Sequence, residues 1–117
     1  MVRVKRIYDD PEPSDGRRVL VDRLWPRGMS RDAAAVDEWM RDVAPSHELR
    51  RWYGHDPRRF AAFADRYRAE LADAAHAPAM ADLRGYAKGG PLTLLTATRD
   101  PDRSHAAVLA EAIGSVR

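Results

Sequence analysis

Three hydrophobic patterns recur along the chain. At residues 2–8, Val2, Val4, Ile7 and Tyr8 are interleaved with Arg3, Lys5 and Arg6, which predicts a strand with one wet face. Val19-Leu20-Val21 and Leu92-Thr93-Leu94-Leu95-Thr96-Ala97 are short runs dominated by apolar residues, as expected of strands covered on both faces. The third pattern has the period of an amphipathic helix. It is carried by Phe60, Phe63, Tyr67 and Leu71, by Met80, Leu83 and Ala87, and by Val108, Leu109, Ala112, Ile113 and Val116, with His105 on the face of the last set.

Start and stop signals frame these patterns. Ser30 and Ser46 read as N-caps of two short helices, the second carrying Leu49 and Trp52 and closing at Gly54. Asp56-Pro57 opens the longest helix, where Arg66 and Glu70 have the spacing of an ion pair. Pro78 begins the next, Lys88-Gly89-Gly90-Pro91 ends it, and either Asp100-Pro101 or Asp102 caps the last. Residues 35–43 fit two descriptions: Val36, Trp39, Met40 and Val43 make a helical stripe, yet the segment is short enough for an edge strand before Pro45. A strand over residues 35–40 is the preferred reading.

Residues 9–17 form a loop by their Asp, Pro and Gly content, with Asp15-Gly16 as the turn into the second strand. The loop is too short for the helix that usually joins parallel neighbours, so the relative direction of the first two strands stays open. The elements add up to an α/β fold: a small, mainly parallel sheet of about four strands flanked by helices, three-layered and Rossmann-like, with residues 1–117 as a single domain.

Composition narrows the function classes. The 117 residues, 44% of them apolar, describe a globular chain that buries roughly two-thirds of its unfolded surface. No run approaches the length of a membrane span, and residues 1–6 lack the apolar centre of a signal peptide, so a cytoplasmic location and no membrane partner are expected. The absence of cysteine excludes disulfides, thiolate metal sites and cysteine nucleophiles. Only Lys5 and Lys88 of the 20 basic residues are lysine, a bias that genome composition and an anion-binding surface explain equally well.

Candidate chemistry gathers where the apolar runs stop. In an open α/β sheet, ligands bind beyond the carboxyl ends of the strands. There the second strand delivers Asp22, Arg23 and Arg27, the fourth delivers Thr98 and Arg99, and the last helix opens close to His105. Guanidinium groups and helix N-termini both favour phosphate or carboxylate. A helix N-terminus biases His105 toward the neutral imidazole, suited to a general base or acceptor, and Asp22 would orient that ring or a water. Trp25, between Arg23 and Arg27 on the loop, is positioned for ligand contact.

The candidate site is therefore Asp22 and His105 as catalytic residues, with Arg23, Trp25, Arg27, Thr98 and Arg99 binding a small anionic, phosphate-bearing ligand. The bland alternative is that Asp22 and Arg23 pair across strand ends while a carbonyl satisfies His105. A second class of function is a non-enzymatic module binding nucleic acid or protein through Arg50, Arg51, Arg58, Arg59, Arg66 and Arg68. No metal or cofactor is expected: His47-Glu48-Leu49-Arg50-Arg51 lacks the second histidine of a zinc-protease helix, Gly89-Gly90 lacks the Lys-Ser/Thr of a phosphate loop, and His55 and His76 read as surface residues.

The block Val19-Leu20-Val21-Asp22-Arg23-Leu24-Trp25-Pro26-Arg27-Gly28, with Asp37-Glu38-Trp39, Ala44-Pro45-Ser46, Leu92-Thr93-Leu94-Leu95 and His105-Ala106, resembles the short, YeaO-like branch of the "domain of unknown function 488" family. The resemblance runs over essentially the whole chain. It implies a compact α/β domain with a mainly parallel sheet and brings no activity with it. Longer members carry Val-Asp-x-Arg at a strand end and Cys-His-Arg at the last helix. Here Asp22 and Arg23 approximate the first, whereas Ser104-His105-Ala106 keeps only the histidine of the second, so thiol chemistry does not carry over.

Overall fold

The computed structural model describes residues 2–114. Four strands, β1 (Val2–Arg6), β2 (Arg17–Leu20), β3 (Glu38–Trp39) and β4 (Leu92–Thr96), form one sheet in the order β1-β4-β2-β3, and every neighbouring pair is parallel. The expected mainly parallel α/β architecture is thus borne out. The helices are α1 (Arg31–Ala34), α2 (His47–Tyr53), α3 (Phe60–Leu71), α4 (Ala77–Gly89) and α5 (His105–Gly114).

Strand alternation assigns the two faces. Val19, Val21, Leu92 and Leu94 point to one side and form the main core with Leu49, Phe63, Tyr67, Leu83 and Leu109 of the helices. Each such side chain taken out of water contributes about 1.5–3 kcal/mol. Leu20, Leu95, Ile7 and Ala34 point the other way into a smaller core closed by Trp25, Val36 and Trp39. That side is a thin layer of loops and the short α1. The middle strands β2 and β4 are buried on both faces, which is why their sequences show no alternation.

The open question of strand direction resolves as parallel. The strand that separates β1 from β2 is β4, and residues 7–16 carry the chain back to the amino end of β2 as an irregular segment. A stretch of that length spans about 30 Å when extended, enough to recross the sheet without a helix. Lys5 holds it in place: its Nζ donates to the Asp10 carbonyl at 3.1 Å, to Glu12 at 3.1 Å and to Asp15 at 3.0 Å. The loop thus covers the face of β1 expected to be wet at Lys5, while Arg3 on that face stays exposed.

Several local expectations meet a different outcome. Residues 35–40 form a strand only at Glu38–Trp39, and a 3-10 turn at Arg41–Val43 follows. Arg66 lies over the Trp52 ring at 4.1 Å rather than against Glu70, whose carboxylate instead accepts the N–H and hydroxyl of Ser46 at 2.8 and 2.6 Å. Those bonds tether α2 to α3, while the Ser46 hydroxyl still caps α2 by accepting from Leu49 N–H. Neither Asp100 nor Asp102 caps the last helix. A 3-10 turn at Pro101–Arg103 intervenes, and Ser104 does the capping, accepting from Ala107 N–H at 3.4 Å. Val116, expected to be buried, lies outside the described residues.

Tyr67 shows how the helix layer fixes the chain leaving β3. Its side chain is fully buried and its hydroxyl donates to the Val43 carbonyl at 2.6 Å. Burial pushes that hydroxyl far above the ordinary tyrosine range. Tyr67→Phe leaves the carbonyl unpaired and is expected to cost about 1–3 kcal/mol, read as a lower urea midpoint at unchanged slope.

Candidate functional site

The carboxyl ends of β2 and β4 are locked together by a side chain. Beyond Thr96 the chain continues through Ala97, whose N–H donates to Asp22 Oδ2 at 2.8 Å. Asp22 thus supplies the acceptor that a further strand residue would have supplied, and both exits stay in register. On the other side of Asp22, His105 Nε2 lies 3.1 Å from the Val21 carbonyl and 3.2 Å from Asp22 Oδ1.

A carbonyl can only accept, so Nε2 carries the proton, and in the neutral ring Nδ1 is the acceptor. The N–H is directed at the carbonyl, and Oδ1 meets it off its axis, a close electrostatic contact rather than an aligned bond. Burial pushes the Asp22 carboxyl up, but the imidazole and the Ala97 N–H outweigh it and hold the group below its ordinary value. The bland reading of His105 is thus half right: a carbonyl does satisfy Nε2. Nδ1 makes no hydrogen bond among the described residues.

Above this floor lies a cleft of about 380 Å³. It is lined by Asp22, Arg23, Trp25, Arg27, Thr98 and His105 together, so six of the seven candidate residues meet on one concave surface. Arg99 does not line it. It borders an adjoining groove that shares Tyr53, His55, Ala97 and Thr98 with the first.

The rim is basic. Arg23 makes one ion-pair contact, with Asp42 at 3.9 Å, and is half exposed. Arg27 and Arg50 form no ion pair among the described residues, and Arg50 Nε is buried without a hydrogen-bond partner. Asp22 is the one carboxylate among the described residues of the lining. Trp25 is held by its indole N–H on the Met29 carbonyl at 2.7 Å and by edge contact with Trp39, centroids 5.5 Å apart. Trp39 in turn donates to the Asp22 carbonyl at 2.8 Å, which fixes the loop at its root.

Of the two hydroxyls near the floor, Ser104 has its proton committed and Thr98 serves as an acceptor. Ser104 donates to the Pro101 carbonyl at 2.6 Å, and Thr98 accepts from Thr96 at 3.0 Å. No group of three or more metal-binding side chains is gathered among the described residues. No helix of the described chain is long and apolar enough to cross a membrane.

Arg50, Tyr53, His55 and Phe63 also line the cleft and were not legible as site residues. Helical spacing marks Phe63 as core, Tyr53 reads from the sequence as core or rim packing, and Arg50 belongs by sequence to a basic helix surface. On that surface Arg58 and Arg59 pair with Asp56, and Arg68 with Asp65 and Glu111.

Comparison with known proteins adds the lineage. The family described as "Inactive DUF488-N3 subclade" matches residues 1–116. The chain belongs to the DUF488-N3i family. Within this relationship, "Uncharacterized protein Rv3073c" of Mycobacterium tuberculosis (strain ATCC 25618 / H37Rv) is 54% identical over 110 residues, covering 94% of this chain and 91% of the relative. "Uncharacterized protein YeaO" of Escherichia coli (strain K12) is 43% identical over 115 residues, 98% of each chain. No solved structure matches. The resemblance to the YeaO-like branch is borne out, and the DUF488-N3i description carries the word "inactive" without an activity attached.

Proposed function

We propose that this DUF488-N3i domain is a cytoplasmic binding module that holds a small anionic ligand, phosphate or carboxylate in character, in the cleft at the carboxyl ends of β2 and β4. The observation that carries the reading is the charge arrangement. Arg23, Arg27 and Arg50 line a cavity whose one carboxylate among the described residues, Asp22, has Oδ2 bonded to Ala97 N–H and Oδ1 in electrostatic contact with His105. A buried guanidinium nitrogen without a partner, as at Arg50, is a donor awaiting an acceptor. Description of the family as an inactive subclade supports binding without turnover, as does the commitment of the Ser104 hydroxyl proton to the Pro101 carbonyl. The cysteine-free composition suits a reducing compartment.

Titration calorimetry with phosphate, pyrophosphate and simple phosphate esters tests this. Arg27→Ala and Arg50→Ala are each expected to weaken the tightest of them by about 10–100-fold, the worth of one charge-assisted bond. Arg27→Ala leaves the unfolding midpoint in place. If the native protein takes up none of these anions at millimolar concentration, the reading is wrong.

A second reading, acid–base catalysis by His105 oriented by Asp22, is favoured by their 3.2 Å contact and the fixed tautomer. It requires turnover of a bound ester that His105→Ala abolishes even at saturating ester.

A further inference from the structure

Resting on the reading of the same cleft, we infer that its ligand is a planar-ring compound bearing the anionic group at one end and an N–H or O–H donor at the other, the donor received by His105 Nδ1. Three observations meet here. The first is size: a cavity of about 380 Å³ lies in the range that holds whole organic ligands, far more room than a bare oxyanion fills.

The second is the division of the walls. Beside the arginines and the polar His55, Thr98 and Ser104, the lining includes Trp25, Pro26, Pro45, Tyr53, Phe63 and Ala97, an apolar share with three aromatic rings. These surfaces are rigid. Trp25 is pinned by the Met29 carbonyl and Trp39, and Tyr53 stacks on Phe63 with centroids 4.3 Å apart while its hydroxyl donates to the Arg103 carbonyl at 2.7 Å. Tyr53 and Phe63 are buried and back this wall, and the preset, part-exposed Trp25 loses little conformational freedom when a ring settles against it. Next to them Leu24 stands 71% exposed at the mouth, an apolar lip that a ligand of oxyanion character alone would not use.

The third is the floor. The Val21 carbonyl fixes the proton on Nε2, so the neutral ring offers Nδ1 as an acceptor with no partner among the described residues. An acceptor at the floor and donors at the rim select a ligand of opposite order, donor inward and anion outward. Nucleoside monophosphates and ring carboxylates with a hydroxyl or amine both have that order.

The test compares inorganic phosphate and ribose 5-phosphate with adenosine and uridine monophosphate, and acetate with 4-hydroxybenzoate, by calorimetry and tryptophan fluorescence on the intact chain. At least one class with a planar aromatic ring should bind tenfold or more tightly than its counterpart lacking one. Its addition should move the ¹⁵N resonance of His105 Nδ1, and His105→Ala should weaken its binding about tenfold more than it weakens that of inorganic phosphate. The NMR shift needs no variant and stands even if His105→Ala fails to fold. Equal affinity for anions with and without a planar aromatic ring, or a stationary Nδ1 resonance in a saturated complex, overturns the inference and leaves anion binding standing. Failure of every anion to bind overturns both, and the carboxylate and phosphate arms tell the two sources of the shared chemistry apart.

Discussion

Replacing Asp15 with Ala is expected to lower the unfolding free energy by about 3–5 kcal/mol, the cost of leaving a buried charge without its partner. Asp15 has no exposed side-chain surface, and Arg18, whose Nη1 donates to it at 2.6 Å, has only 5%. Arg18 spends its other donors on the carbonyls of Ala34 and Ala35 at 2.8 and 3.0 Å, and these carry no compensating charge. Lys5 would then face Arg18 with nothing between them. Against a total stability of about 5–15 kcal/mol, such a loss is a large fraction.

The mirror change is milder. Arg18→Met leaves Asp15 bonded to Lys5 and to Glu12 N–H, so the ordering Asp15→Ala worse than Arg18→Met is the sharper expectation. Urea titrations of the two variants decide it, and equal losses would mean that the buried pair is not the unit that matters.

The same cluster gives a pH dependence. Burial pushes the Asp15 carboxyl up, but Glu12 N–H, Lys5 and Arg18 outweigh it and hold the group below its ordinary value. A carboxyl depressed in the folded state contributes in full above its unfolded value of about 3.9, and the contribution is lost as the pH falls through the depressed one. Native stability should therefore hold down to about pH 4 and decline below it, and Asp15→Ala should flatten that decline.

Legibility in the sequence followed the reach of the interactions. Val19-Leu20-Val21 and Leu92-Thr93-Leu94-Leu95 read as buried strands because burial on both faces erases alternation, and the polar residues after each run then mark the strand ends. That was enough to bring Asp22, Arg23, Arg27, Thr98 and His105 to one rim. What stayed hidden depends on partners far along the chain. Arg66 and Glu70 have helical spacing, yet Trp52 and Ser46 take them, because a stacked guanidinium and a two-point bond to a cap outweigh an exposed pair worth a few tenths of a kcal/mol. The direction of β1 relative to β2 was open because β4, supplied much later, is what separates them. Arg50 looked like one more basic helix residue, and only the way α2 is set against α3 turns it to the cleft.

Gly16→Ala is the second change with a large expected effect, about 3 kcal/mol or more, and it tests the sheet rather than the site. Gly16 turns the chain into β2 with φ of +63°, where an L side chain is strained by about 1–3 kcal/mol. A Cβ there would also lie 2.2 Å from the Pro91 carbonyl oxygen and 2.7 Å from Pro91 Cβ. That oxygen cannot move aside freely, because it accepts the Arg17 N–H at 3.1 Å and so begins the pairing of β2 with β4. Relief of the clash must part the central strands at their amino ends, beside the Thr93 hydroxyl that donates to the Asp15 carbonyl at 2.8 Å. Gly28 is the control: its φ of +74° carries the same kind of strain, but a Cβ there meets nothing within 4 Å. Gly28→Ala should therefore cost about 1 kcal/mol. A difference of some 2 kcal/mol between the two variants in denaturant is the clash together with any extra strain from the Gly16 ψ of −132°, and its absence would mean that the β2–β4 junction yields more readily than its bonds imply.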